Sequence, residues 1–467
     1  MRLNDGVSLR TGGLLLFLGC VLFVLYRAGV RAEGVRDILW FIKVAVVQSL
    51  IYLLAVGIVV RARSSRLTFL IIVTFAVLFR LSIVFSPPYL SDDIYRYIWD
   101  GRVQAAGINP YRYLPSAPEL AQLRDDKIYP KINRRDSAPT IYPPFAEAVF
   151  LLTTRISESV VWMKLTMIIF EVIAVWALAH LLSSFGLARE RLLIYAWHPL
   201  IVWEFAGSGH VDAIAIAFIA LAFLAWRRSI NVGAGLALAG ATLIKLFPLV
   251  LFPALLSRRR WIIPLVFVAT ILVAYLPYLG VGPKAVLGYL PGYAHEQGLV
   301  SGQQFYLLNV ARKLFGPGLP LIAYLIGAAL IMGAIACWAI QRNRRNEDNL
   351  KPALVLTTAV TVLFAPHYSW YFAWLVPFLC FIPSLAVFYL TIASFALYGT
   401  WFGGSPDQML FMNSIIYLPF LLVGAIELFC RKYYSRKDAK AQRKPPGYAA
   451  ALCAFAPLRE ISSDRQK

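Results

Sequence analysis

The chain has 467 residues, 60% hydrophobic and only 15% charged, with 45 Lys and Arg against 24 Asp and Glu. So little charge excludes an ordinary water-soluble enzyme of this length. The formal net charge of +21 sits in short loops and in the C-terminal tail, as at a membrane surface, and no basic stripe interleaved with aromatics marks a nucleic-acid site.

Repeated apolar runs are long enough to cross a bilayer as helices and too continuous for barrel strands. The expected fold is an all-α integral membrane protein, a polytopic bundle of roughly 12–14 transmembrane helices. Residues 13–26 have a signal-like apolar core, but Arg27 and Arg31 stand where a cleavage site would lie, so this is read as a retained first helix. Spans follow near 39–60 and 67–86, with Arg61, Arg63 and Arg66 between them marking the cytoplasmic side. Residues 87–145 then form a first extracytoplasmic loop carrying juxtamembrane helices. A span near 159–184 returns, followed by a tight pair at 192–206 and 210–226 around Gly207-Ser208-Gly209-His210.

Residues 232–256 read as two short arms broken around Lys245-Leu246-Phe247-Pro248, because proline removes a helix donor. Span 261–280 leads to a second external loop at 281–318, and 319–340 returns to a basic cluster. The remaining spans fall near 353–364, 371–383, 384–401 and 411–430. Residues 1–430 form one transmembrane domain, and 431–467 a basic cytoplasmic tail expected to be disordered. Both termini are then cytoplasmic, in a cell membrane of bacterial type. The basic stretch 27–36, which this topology puts outside, runs against it. The five cysteines have no metal-ligand spacing, and the large loops hold none, so no disulfide framework is expected.

The polar stretch from Ser91 to Arg102 follows the third span directly. Ser91 suits an N-cap and Gly107 a C-terminal stop, with Asp92 and Asp93 in the first turn, where the helix dipole favours negative charge. Stabilising a helix start is therefore the simplest role for the acidic pair. Ile94, Tyr97, Ile98 and Val103 form an apolar face, and Asp93, Arg96 and Asp100 share the other. The Pro- and Tyr-rich turns that follow, including Asn109-Pro110-Tyr111, suit a rigid surface with aromatic faces for sugar rings.

Together these residues resemble the membrane-embedded C superfamily of glycosyltransferases (GT-C), and most closely its bacterial branch of polyprenol-phosphate-mannose-dependent mannosyltransferases. The resemblance rests on Asp92-Asp93 with the helix after it, Asn109-Pro110-Tyr111, Trp197-His198-Pro199-Leu200 and Gly207-Ser208-Gly209-His210-Val211-Asp212. Lys245-Leu246-Phe247-Pro248 and Pro366-His367-Tyr368-Ser369-Trp370-Tyr371 complete it, so it spans roughly residues 75–425.

The resemblance implies an inverting hexosyltransferase, mannose favoured, that uses a polyprenyl-phosphate sugar donor at an outward-facing site. The acceptor would be a glycan, glycolipid or protein. Asp92 or Asp93 is the general base, the other orienting the acceptor or holding a divalent cation (Mg or Mn); no other cofactor is expected. Arg96, Arg102 and Lys245 are candidates for the donor phosphate. Trp99, Asp100, Tyr111, His210, Asp212 and Gln303 are candidates for substrate binding. His210 and Asp212 read equally well as anchors of a tight turn, and Lys245 as a residue snorkelling to the interface. Glu171 and Glu204 are expected to pair with buried cations, His295 to lie on a solvated loop and His367 in an aromatic belt. A lipid-linked glycan polymerase or ligase, and a transporter or flippase, are the rival readings; neither depends on the acidic pair.

Overall fold

The computed structural model describes residues 2–30, 38–62, 64–88, 90–257, 259–282, 285–344, 348–400 and 405–438. Among them every regular element is helical. The first three helices are α1 (Arg2–Gly29), α2 (Ile38–Arg61) and α3 (Arg66–Ile83), with α1 packed on both others. After them come α4 (Asp93–Ala105), a long connection with two short 3-10 turns, α5 (Pro144–Ile156) and α6 (Val160–Ser184). Two short helices, α7 (Leu193–Ala196) and α8 (Pro199–Ile201), lead into a π-helical turn at Val202–Gly207.

The centre of the bundle is α9 (Asp212–Arg227), packed against α6 and α10 (Asn231–Thr242). α10 stops at Thr242, and Pro248 lies in a 3-10 turn at Phe247–Leu251 before α11 (Phe252–Leu255). This is the break that the proline predicts. Next come α12 (Ile262–Tyr275), α13 (Leu290–Glu296), α14 (Tyr306–Phe315), α15 (Leu321–Arg344) and α16 (Leu350–Phe364). A 3-10 segment at Ser369–Leu375 precedes α17 (Val376–Leu379), α18 (Leu385–Ala393) and α19 (Pro406–Asp438).

Among the described residues seven helices are long and apolar enough to cross a membrane. Their outer faces carry bare apolar side chains: Phe17 is 65% exposed, Leu272 64% and Leu330 70%. Apolar surface on this scale is stable only against lipid. The chain is a polytopic all-α membrane protein. The other runs read as spans are shorter or broken helices, such as Leu350–Phe364, Ser369–Leu379 and Leu385–Thr400. α19 remains helical to Asp438, eight residues into the segment expected to be tail; positions 439–467 lie outside the described residues.

The helix at the acidic pair differs from expectation at its cap. Asp92, not Ser91, holds the N-cap position, while the Ser91 hydroxyl accepts the Asp93 amide at 3.2 Å. Both faces of α4 are covered: Ile94, Tyr97, Ile98 and Val103 are buried, and so are Arg96 and Asp100 on the other side. Gly101 explains how close α4 lies to α5, because a Cβ there would meet the Phe150 carbonyl oxygen and the Thr154 hydroxyl at 2.5 Å. The expected buried pair at Glu171 is present, with Arg80 Nη2 at 2.6 Å.

Candidate active site

A cavity of about 1080 Å³ opens beside the start of α4. Apolar side chains in its wall include Leu246, Leu249, Val250, Met332, Val360 and Phe364. Polar side chains in the same wall include Asp92, Asp93, Asn133, Arg134 and Lys245. Aromatic rings also line it, among them Tyr289, Tyr293, Tyr368, Trp370 and Tyr371. Volume and lining fit an amphiphile with a ring-bearing polar head and a hydrocarbon tail.

The two carboxylates are tied by one amide. Asn133 Nδ2 donates to Asp92 Oδ1 at 2.9 Å and to Asp93 Oδ1 at 2.7 Å. Asp92 is exposed, whereas Asp93 is turned inward, its side chain 23% exposed. Burial, with the charge of Asp92 beside it, raises the Asp93 carboxyl above the usual carboxylate range; Lys245 and the Asn133 hydrogen bond pull the other way. A base of raised pKa in a cavity wall is what proton abstraction from a hydroxyl needs.

Behind Asp93 lies the turn at positions 207–212. His210 Nδ1 is 3.9 Å from Asp93 Oδ2, and the ring stacks on Trp370 with centroids 4.1 Å apart. Gly209 makes this approach feasible. Its φ is +76°, and a Cβ there would come within 2.5 Å of Ile94 Cδ1 in the first turn of α4. Only glycine meets both demands without strain. Asp212 is fully buried: Lys245 Nζ lies 2.7 Å from its Oδ2, and Trp374 Nε1 donates to its Oδ1 at 2.7 Å. Lys245 also sits 4.5 Å above the Tyr371 ring and is 17% exposed, so its ammonium is aimed and still faces the cavity.

The structure therefore gathers Asp92, Asp93, Lys245, His210 and Asp212, with Tyr111 in the same cavity wall. Arg96 reaches that wall, but its guanidinium is engaged by Asp100 Oδ1 at 2.8 Å and the Ala138 carbonyl at 3.0 Å. Arg102 lies outside the cavity lining and holds Asp125 at 2.6 Å and Glu158 at 2.9 Å. Trp99 is likewise absent from the lining, its ring buried beside Tyr129. Asp100 is buried with Arg96, away from the lining. Gln303 is exposed; its neighbour Gln304 lines the cavity, its amide donating to the Phe364 and Ala365 carbonyls at 3.1 and 2.7 Å.

Several lining residues escape the sequence reading. Asn133 and Arg134 lie in the long connection, where no periodicity marks them; an Asn-Arg-Arg run in a polar turn is the only signal. Arg134 Nε lies 2.6 Å from Glu296 Oε2, joining the first long connection to α13. Tyr368, Trp370 and Tyr371, read as an aromatic belt, instead face the cavity. His295 is exposed, as expected. Among the described residues Glu204 pairs with no Lys or Arg; its carboxylate meets the Tyr398 hydroxyl and the His210 ring instead.

For a divalent cation this chain offers the Asp92 and Asp93 carboxylates, and no group of three or more His, Cys, Asp or Glu gathers among the described residues. Such a pair fits a hard cation that keeps waters and takes phosphate oxygens as its other ligands.

The fold is thus a polytopic helical membrane protein whose large cavity carries two carboxylates and a lysine in its wall. Residues 22–258 match the family described as "Alpha-(1->6)-mannopyranosyltransferase, N-terminal domain", and the chain belongs to this mannosyltransferase family. The match includes Asp92, Asp93, His210, Asp212 and Lys245, whereas the aromatic wall at 289–293 and 368–371 lies beyond it. No curated protein matches the chain in sequence.

Proposed function

We propose that the chain transfers a mannosyl group from a polyprenyl-phosphate sugar to a hydroxyl of a glycan, glycolipid or protein acceptor, on the extracytoplasmic face of the membrane. The observation that carries this is the mixed lining of one cavity: apolar side chains suited to a lipid tail, together with Asp93 and Lys245, whose charges interact. The outward orientation is supported by the basic clusters on the opposite ends of the spans. Nucleotide sugars stay in the cytoplasm, so an outward-facing site needs a lipid-borne donor.

In this mechanism Asp93 takes the proton of the acceptor hydroxyl as its oxygen attacks the anomeric carbon. The bond from that carbon to the phosphate breaks, and the electron pair leaves with the phosphate. Lys245 faces the cavity and can meet that charge, and Arg134 is a further cation in the wall, which Arg96 also reaches. Asp92, nearer solvent and linked through Asn133, orients the acceptor or shares a divalent cation with Asp93. Stacked rings of Tyr368 and Trp370, 4.5 Å apart, offer a face to a sugar ring. A single displacement inverts the anomeric centre. An α-(1→6) product, the linkage in the family description, therefore requires a β-configured donor.

The test is turnover by the purified chain in lipid nanodiscs, supplied with β- or α-configured polyprenyl-phosphate mannose and a mannoside acceptor. Release of polyprenyl phosphate from the β donor alone, with an α-linked product, is the expected result. Turnover of the α donor to the same product would contradict single displacement. Donor crossing the bilayer without product would favour a flippase.

A further inference from the structure

Glu147, in the first turn of α5, is fully buried outside the cavity lining, and the transfer step makes no use of it. A buried carboxyl is costly unless it is hydrogen-bonded, and here both oxygens are engaged. The Thr140 hydroxyl donates to Oε1 at 2.7 Å, and the Gln104 side-chain amide donates to Oε2 at 2.7 Å. Thr140 is also fully buried and outside the lining. Its hydroxyl accepts the Tyr142 amide at 3.2 Å, and its carbonyl accepts the Tyr289 amide at 3.0 Å. Tyr142 and Tyr289 line the cavity, as do Pro139 and Ile141 on either side of Thr140. The pair therefore backs the wall without entering the cavity.

The links close into a ring. Gln104 Oε1 accepts the Tyr278 hydroxyl at 3.1 Å, and the Asn109 side-chain amide donates to the Tyr278 carbonyl at 3.1 Å. Asn109 Oδ1 accepts the Tyr111 amide at 3.0 Å. The Tyr111 hydroxyl donates to the Tyr142 carbonyl at 2.6 Å, which leads back to Thr140. Tyr111 lines the cavity, but its hydroxyl is committed to the backbone of the wall.

The segment held by this ring joins the two ends of the chemistry. At one end Asn133 holds Asp92 and Asp93, at 2.9 and 2.7 Å. At the other, the Phe145 and Ala146 amides both donate to the Leu243 carbonyl at 3.2 Å, just before Lys245. Those amides open α5 and that carbonyl closes α10, so each helix end supplies partners that the other lacks. Between the two ends, Arg96 Nη1 donates to the Ala138 carbonyl at 3.0 Å.

We propose that Thr140 and Glu147 are positioning residues whose hydrogen bond clamps segment 133–146 and so sets the separation of Asp93 from Lys245. The inference rests on the reading of Asp93 as the base and Lys245 as the partner of the leaving phosphate. In a single displacement the acceptor oxygen enters and the phosphate leaves on opposite sides of one carbon. Base and cation must then both reach that one centre, and a clamp between them acts on the rate more than on ground-state binding.

The experiment measures kcat and donor KM for the full chain in nanodiscs, with β-configured polyprenyl-phosphate mannose and a mannoside acceptor. Rates are taken per folded protein. Thr140→Val keeps the shape and removes the hydroxyl. It is expected to lower kcat about 10- to 100-fold while donor KM stays within about twofold. Thr140→Ser restores the hydroxyl and is expected to recover most of the loss. Tyr111→Phe removes only the hydroxyl bound to the Tyr142 carbonyl; it serves if Thr140→Val misfolds, and the same fall in kcat at unchanged donor KM is expected. Wild-type kcat in the folded variant overturns the clamp, and so does a Thr140→Ser loss equal to that of Thr140→Val, which would place the effect in packing. Asp93→Asn separates the two claims: inactive Asp93→Asn beside wild-type kcat in Thr140→Val removes only the clamp, whereas active Asp93→Asn removes the base on which it rests.

Discussion

Lys245→Met is the most informative single change, because Lys245 stands in two accounts at once. It neutralises the buried Asp212 carboxylate at 2.7 Å, and it faces the cavity where a phosphate would leave. Breaking a buried pair from one side costs about 3–5 kcal/mol, since the orphaned charge stays behind. Lys245 keeps 17% exposure and Asp212 keeps the Trp374 donor, so the lower end, about 3 kcal/mol, is expected. Adding Asp212→Asn removes the orphaned charge while retaining an oxygen for Trp374. Stability of Lys245→Met/Asp212→Asn should then return to near wild type. Activity should not: a missing donor to a developing anion costs about 10²–10³ in kcat. The assay pairs thermal unfolding in detergent with initial rates of polyprenyl phosphate release. A double variant that recovers both stability and turnover would refute the catalytic part and leave Lys245 as a structural partner of Asp212.

Two further outcomes follow from the geometry. Gly209→Ala places a Cβ within 2.5 Å of Ile94 in a left-handed position, which alone costs about 1–2 kcal/mol; thermal unfolding should show that loss, and kcat should fall further because the first turn of α4 moves, so an unchanged rate would contradict the placement. Burial pushes the Asp125 carboxyl up, but hydrogen bonds from Arg102 and from the Ile128 and Tyr129 amides bring it down to about 2. Its stabilising contribution is thus present above the unfolded value of about 3.9 and is lost as pH falls from there towards about 2. Arg102→Met should weaken that acid dependence in unfolding measured between pH 5 and 2.5, and it should leave donor KM unchanged, because Arg102 lies outside the cavity lining.

The membrane class and the acidic pair are legible in the chain because a charge beside an apolar run is costly and therefore conspicuous. Lys245 beside Pro248 is legible for the same reason, and the helix break falls where proline puts it. Nearness in sequence misleads within α4. Arg102 is nine residues after Asp93, about 180° round the helix, so it faces Asp125 and Glu158. Asp100 is on nearly the same face but two turns further along, and there it meets Arg96. Asn133 is out of reach of any sequence argument: it arrives from 40 residues away in a connection with no period. Glu204 facing His210 is hidden by the π-helical turn, because the regular period puts the two on different faces.

The central claim is that Asp93 is the base of a transfer from a lipid-borne mannosyl donor. Its most direct test compares Asp93→Asn and Asp92→Asn in nanodiscs, following polyprenyl phosphate release with β-configured polyprenyl-phosphate mannose and a mannoside acceptor. The account predicts a loss of about 10²–10⁴ in kcat for Asp93→Asn, with donor binding retained, and a smaller loss for Asp92→Asn. Wild-type turnover by folded Asp93→Asn would contradict it.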